Sequence, residues 1–180
     1  MAVSVLTDEA HFGGSLEDLT RVAATVRVPV LRKDFILDEL QIMEARVAGA
    51  SAVLLIARIL EPYRLLALAR AAREWGLATL IEVHSAAELP PALVADPTLL
   101  GINARDLSTF VVDLDRAEEL IAHVPPGVPV VAESGVESRA DVERLAAAGA
   151  DFVLVGTSVA REHNPEAAVR ALTGVRRVGR

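Results

Sequence analysis

Short apolar runs alternate with longer stretches of helical periodicity along the whole chain. The runs near residues 3–6, 28–32, 52–56, 79–83, 98–102, 129–132 and 152–155 are rich in Val, Leu and Ile and lack polar alternation. That pattern predicts parallel strands covered on both faces, with helices filling the intervals. Ser15 before Leu-Glu-Asp-Leu and Ser138 before Arg-Ala-Asp-Val read as helix N-caps, and Ser85-Ala-Ala-Glu88 has capping-box spacing. Gly49, Gly76 and Gly149 each follow a helical stretch, where a left-handed residue is wanted. Strand–helix–strand repeated in this way implies right-handed parallel crossovers. Ala48-Gly-Ala-Ser-Ala-Val-Leu-Leu55 echoes Ala148-Gly-Ala-Asp-Phe-Val-Leu-Val155, each reading as helix end, tight turn and buried strand. Such an echo fits a (β/α)8 barrel with related halves.

The polar residues gather just after the predicted strands: Thr7-Asp8, Lys33-Asp34, Glu82, Asn103-Ala-Arg105, Glu133-Ser-Gly135 and Gly156-Thr-Ser158. In a (β/α)8 barrel all of these lie on one rim, the C-terminal face where active sites form. In a doubly wound open sheet they would not meet on one ring. For Thr7, Asp8, Asp34 and Ser158 ordinary turn chemistry is the alternative reading. Glu82 in Leu-Ile-Glu-Val and Glu133 in Val-Val-Ala-Glu stand at strand ends among apolar neighbours. A buried carboxylate there needs a cation, and Lys33 and Arg105 are the candidates.

Composition narrows the field. A chain of 180 residues with 52% hydrophobic positions suits one domain, residues 1–180, and aromatics at 3% leave the core to Ala, Val, Leu and Ile. No apolar run approaches the ~20 residues of a membrane span, and no signal peptide is evident. The absence of cysteine excludes disulfides and thiolate metal sites and is compatible with a cytoplasmic location. A net charge of −7 argues against a nucleic-acid surface. The most informative residue is Lys33, the only lysine among 18 basic residues, the other 17 being arginine. Arginine stays protonated, whereas lysine can exchange a proton, so a lone lysine at a strand end draws attention to proton transfer. The four histidines, His11, His84, His123 and His163, have no metal-ligand spacing and read as surface or turn residues.

Two small-residue turns follow the last two strands, Glu133-Ser-Gly-Val136 and Val155-Gly-Thr-Ser158. Phosphate sites in (β/α)8 enzymes often occupy this place. Gly135 and Gly156 would admit close approach, and Ser134, Thr157 and backbone N–H groups would donate to phosphate oxygens. Ordinary strand–helix turns are the alternative reading.

Taken together, Leu31-Arg-Lys-Asp-Phe35, Leu80-Ile-Glu-Val-His84, Gly101-Ile-Asn-Ala-Arg-Asp-Leu107, Ala132-Glu-Ser-Gly-Val136 and Val155-Gly-Thr-Ser158 resemble the indole-3-glycerol-phosphate synthase family. Val3-Ser-Val-Leu-Thr-Asp8 with Phe12-Gly-Gly-Ser-Leu-Glu-Asp18 resembles that family's second strand and following loop. The resemblance runs from about residue 2 to about 172. It implies a (β/α)8 fold and a carboxy-lyase of tryptophan biosynthesis. The reaction converts 1-(2-carboxyphenylamino)-1-deoxyribulose 5-phosphate to indole-3-glycerol phosphate with loss of CO2 and water, without metal or organic cofactor. By motif, it implies that Lys33 is a general acid and that Glu82 stabilises positive charge and takes a proton. Asn103 and Glu133 would orient hydroxyls and charged groups, and Arg105 would reach the anthranilate carboxylate. Phe35, Leu54 and Ile56 would form the ring pocket, and Ser134, Gly135, Gly156 and Thr157 would hold the phosphate.

The resemblance also implies a departure. A complete barrel of this type needs about 250 residues, and here seven of eight strands are present, the chain opening at what corresponds to the second. The family's first strand carries a second catalytic lysine, a glutamate and a phosphate-binding serine that nothing here replaces. The expectation is a fragment or misplaced start, a genuine short protein that pairs with another chain through open barrel edges, or an inactive relative. By itself the chain is expected to be weakly active or inactive. Two other functions stay open: another sugar-phosphate isomerase or epimerase barrel, and a non-catalytic phosphate-binding barrel remnant. In each case the partner is a phosphorylated small molecule, with no nucleic acid and no membrane.

Overall fold

The computed structural model describes residues 1–179. They form two compact units, one of residues 1–82 and 88–99, the other of residues 83–87 and 100 onward. In the first unit β1 (Val3–Leu6), β2 (Val30–Lys33), β3 (Ala52–Ile56) and β4 (Ala78–Val83) are parallel neighbours in chain order. Between and after them run α1 (Glu9–Phe12), α2 (Leu16–Thr25), α3 (Glu39–Val47), α4 (Pro62–Glu74) and α5 (Leu89–Val94). In the second unit β5 (Leu99–Asn103), β6 (Val130–Glu133) and β7 (Phe152–Leu154) are again parallel and in chain order, with α6 (Leu114–Ala122), α7 (Arg139–Ala148), α8 (Thr157–Ala160) and α9 (Pro165–Leu172). Seven parallel strands therefore stand where seven apolar runs predicted them, each within two residues at either end.

The apolar runs become strands because both faces are covered. On one face of β3 and β4, Val53, Leu55 and Ile81 are fully buried, and Leu19, Ile42, Leu65 and Leu68 are buried on the helices. In the second unit Leu100 and Ile102 of β5 are buried, as are Ile121 and Leu145 of α6 and α7. Each fully buried Leu or Ile contributes roughly 1.5–3 kcal/mol.

The internal echo is structural as well as sequential. Gly49 and Gly149 end their helices at φ 89° and 110°. Ala50 N–H then donates to Ala45 O at 2.9 Å and Ala150 N–H to Leu145 O at 3.0 Å. Next, Ser51 N–H donates to Val30 O at 2.8 Å and Asp151 N–H to Val130 O at 2.9 Å. The side chains of Ser51 and Asp151 return the bond, accepting from Val30 N–H and Val130 N–H. The same local solution thus fastens the preceding strand in each unit.

Ser15 and Ser138 cap α2 and α7 as expected, the latter in a full capping box with Asp141. After Ser85 a 3-10 turn occupies Ala86–Glu88, and α5 starts only at Leu89. Pro90 and Pro91 explain this, because residues lacking an N–H fit a helix only in its first turn. No helix of the described residues is long and apolar enough to cross a membrane.

Candidate active site

Side chains alternate across a strand, so Arg32 of β2 faces away from Leu31 and Lys33. The register pairs Arg32 with Val53, Leu54 with Leu80 and Ile56 with Glu82. Lys33, Leu54, Ile56 and Glu82 therefore share one face of the first unit's strands, near their C-terminal ends. Lys33 Nζ lies 3.3 Å from Glu82 Oε2. The glutamate side chain is 2% exposed and the lysine side chain 25%. One partner is thus stripped of water and the other reaches it from the solvent side, an arrangement in which the attraction is less screened than at a surface. Leu54 and Ile56 are buried beside this pair, giving it an apolar wall.

Phe35 follows two residues after Lys33. Its ring stacks on Phe12, with centroids 6.2 Å apart and planes at 23°, and meets His11 edge-on at 5.6 Å. Phe12 and His11 were not singled out as site residues from the sequence. The signal that could have found them is Phe12-Gly-Gly, because the loop can return here only through glycine. A Cβ on Gly14 would sit 2.1 Å from Leu6 O, a backbone atom that cannot give way. Asp8 caps α1 and is held below the usual carboxylate range, chiefly by the N–H of His11, with the His11 ring adding to it. The two aromatic residues are thereby fixed at the end of β1.

In the second unit Asn103 and Glu133 are direct cross-strand neighbours on β5 and β6. Both are buried. The Asn103 Oδ1 accepts the Arg105 N–H at 3.0 Å, which orients its amide. Arg105 Nη1 donates to Phe110 O at 3.0 Å, closing its own loop, and Phe110 takes a left-handed φ of 59°. Ser134 and Gly135 are both left-handed, at φ 67° and 76°. A Cβ on Gly135 would lie 2.6 Å from Val112 Cγ1, so this turn needs its glycine. Gly156 begins α8, and a Cβ there would meet open space. Ser158 Oγ donates to Val136 O at 2.8 Å and ties the turn after β7 to the turn after β6. At the start of α7, burial pushes the Asp141 carboxyl up. The N–H of Glu137 and the hydroxyl and N–H of Ser138 outweigh this and hold it below its ordinary range. The charged cap fixes the helix directly behind the Ser134–Gly135 turn.

The structure thus brings Lys33 against Glu82, Asn103 beside Glu133, and the turns of Ser134–Gly135 and Gly156–Thr157 onto one hydrogen-bonded frame. His84 differs from expectation: it is 1% exposed rather than superficial, because the buried strand β4 runs directly into it. His11, His123 and His163 are exposed, as read. No group of three or more histidines and carboxylates that could hold a metal ion occurs among the described residues.

Three comparisons bear on this geometry. The sequence model of the indole-3-glycerol phosphate synthase family matches residues 1–172. The indole-3-glycerol phosphate synthase of Rhodopirellula baltica is 48% identical over 170 residues, covering 94% of this chain and 66% of that protein. That of Leptospira interrogans is 47% identical over 156 residues, covering 87% and 62%. The chain thus spans less than two thirds of the length of these relatives. Among solved structures, 3-hexulose-6-phosphate synthase from Salmonella typhimurium superposes with a TM-score of 0.75 at 16% identity, covering 96% of both chains. At that identity the likeness speaks for the parallel α/β fold alone.

Proposed function

The chain belongs to the indole-3-glycerol phosphate synthase family, and from that premise we propose that it carries the family's decarboxylating ring closure. The reaction takes 1-(2-carboxyphenylamino)-1-deoxyribulose 5-phosphate to indole-3-glycerol phosphate, CO2 and water. Lys33 delivers a proton to the substrate carbonyl oxygen as the carboxylate-bearing ring carbon bonds to the carbonyl carbon, and CO2 then leaves from that ring carbon. Glu82 stabilises the positive charge that develops and removes a proton during dehydration. A lysine open to solvent and a buried glutamate held against each other can divide these roles. Asn103 and Glu133 orient substrate hydroxyls and charged groups, and Arg105 meets the anthranilate carboxylate. Phe35, Leu54 and Ile56 hold the aromatic ring, joined by Phe12. Ser134, Gly135, Gly156 and Thr157 receive the phosphate. This is small-molecule chemistry of amino-acid biosynthesis in the cytoplasm.

The observation that carries the reading is the pairing of the only lysine with a buried glutamate at 3.3 Å. The exposed apolar edges, Leu6 on β1 at 39% and Phe152 on β7 at 49%, support pairing with a further polypeptide strand. The second reading is binding of a phosphorylated ligand without turnover, through the turns of Ser134–Gly135 and Gly156–Thr157. Mixing the purified chain with the substrate separates the two. Saturable binding followed by anthranilate fluorescence, with slow release of indole-3-glycerol phosphate, is expected. Saturable binding with no product supports the second reading, and no saturable binding at millimolar substrate removes both.

A further inference from the structure

Lys33 is flanked in sequence by Arg32 and Asp34, and these face the other side of the strand. Arg32 is 4% exposed, and all three of its guanidinium nitrogens are engaged. Nε donates to Thr7 Oγ1 at 3.0 Å and Asp34 Oδ2 at 3.3 Å, and Nη2 donates to the same Asp34 oxygen at 2.9 Å. Nη1 donates to Gln41 O at 2.6 Å and to Glu44 Oε2 at 3.3 Å. The Thr7 hydroxyl donates to Asp34 Oδ2 at 2.6 Å. The other oxygen of Asp34 accepts the N–H of Phe35 at 2.8 Å. From the far side, Gln41 Nε2 donates to Phe35 O at 2.9 Å. Both peptide units around Phe35 are therefore gripped, and Thr7 N–H also holds Lys33 O at 3.2 Å.

We propose that Thr7, Arg32 and Asp34 are positioning residues: together they set the direction in which Lys33 and Phe35 leave the end of β2. The proposal rests on the role given to Lys33 above. A network of this kind is a poor way to gain stability. Desolvating a guanidinium and a carboxylate costs several kcal/mol, and apolar side chains of similar volume commonly serve as well. Hydrogen bonds do what apolar contacts cannot, because they fix angles. Here one carboxylate bonds the guanidinium through one oxygen and the Phe35 peptide through the other. The backbone between the acid residue and the aromatic residue cannot rotate without breaking one of them. Ends of parallel strands that hold reacting groups work only when the supporting residues lock their orientation.

The single lysine makes the test direct, because selective carbon-13 labelling of lysine gives one side-chain spin system, that of Lys33. Asp34→Asn and Thr7→Val are expected to displace or split the Lys33 side-chain signal and the Phe35 ring signals in a chain that still folds. Thr7→Ser, which keeps the hydroxyl, restores the unsubstituted positions. Leu65→Ala, which empties core volume on α4, lowers stability and leaves both sets of signals in place. The proposal is overturned if Asp34→Asn and Thr7→Val leave the Lys33 and Phe35 signals unmoved, or if Leu65→Ala moves them as much. No substrate enters this experiment, so failure of the substrate to bind would remove the proposed function and leave this result standing.

Discussion

Lys33→Ala is expected to lower turnover by about 10²–10⁴-fold relative to the rate of the unsubstituted chain, with a much smaller change in substrate binding. The asymmetry follows from when each contact acts. On the proposed roles, binding draws on the ring pocket and the phosphate turns, which the substitution leaves intact, whereas the lysine proton is needed only as the carbonyl oxygen gains charge. Lys33→Arg makes the sharper comparison. It keeps the positive charge opposite Glu82, but a guanidinium does not surrender its proton at working pH. Its turnover should therefore stay close to that of the alanine variant. Glu82→Gln keeps the shape and removes the charge, and its loss should fall in the same range. Steady-state rates of indole-3-glycerol phosphate release measure all three. A Lys33→Arg chain with near-normal turnover would mean that Lys33 supplies charge and not a proton.

Arg32→Met is expected to destabilise the fold by about 3–5 kcal/mol, the usual cost of removing one partner from a buried ion pair. Asp34 is 8% exposed at its side chain and would be left facing a thioether. Thr7 Oγ1 and Gln41 O would each lose a donor at the same time. The volume of the side chain is nearly kept, so cavity formation adds little. Urea unfolding followed by circular dichroism reads the change, and an unaltered slope with a lower midpoint identifies it as lost stability. Arg32→Met combined with Thr7→Val and Asp34→Leu should recover much of the loss, since the orphaned polar groups are then gone. A single substitution that costs less than about 1 kcal/mol would show that the network is solvated in solution.

Most of the fold was legible because parallel strands declare themselves. Seven short runs rich in Val, Leu and Ile became seven strands, and the left-handed glycines at 49, 76 and 149 fell where helices had to end. What misled was local chemistry with two solutions. Ser85 stands before a 3-10 turn and not directly before the α-helix, because Pro90 and Pro91 decide where α5 can begin. His84 does lie in the bend after β4, but it is buried there, because it directly follows a fully buried strand end. The candidate site was legible where residue type is unusual for its place, as with Lys33, Glu82 and Glu133. Phe12 and His11 were not, because an aromatic residue on a four-residue helix has no period to reveal it. The Thr7–Arg32–Asp34 network was out of reach for the same reason: nothing in a sequence says that residues 25 apart share one carboxylate oxygen.

The central claim is that the only lysine of this chain meets the substrate. Titrating 1-(2-carboxyphenylamino)-1-deoxyribulose 5-phosphate into lysine-labelled protein tests it most directly. The Lys33 side-chain signal should move saturably, with the same midpoint as the fluorescence change that reports anthranilate binding, and inorganic phosphate alone should move it far less. A substrate that binds by fluorescence while the Lys33 signal stays at its free position would contradict the account.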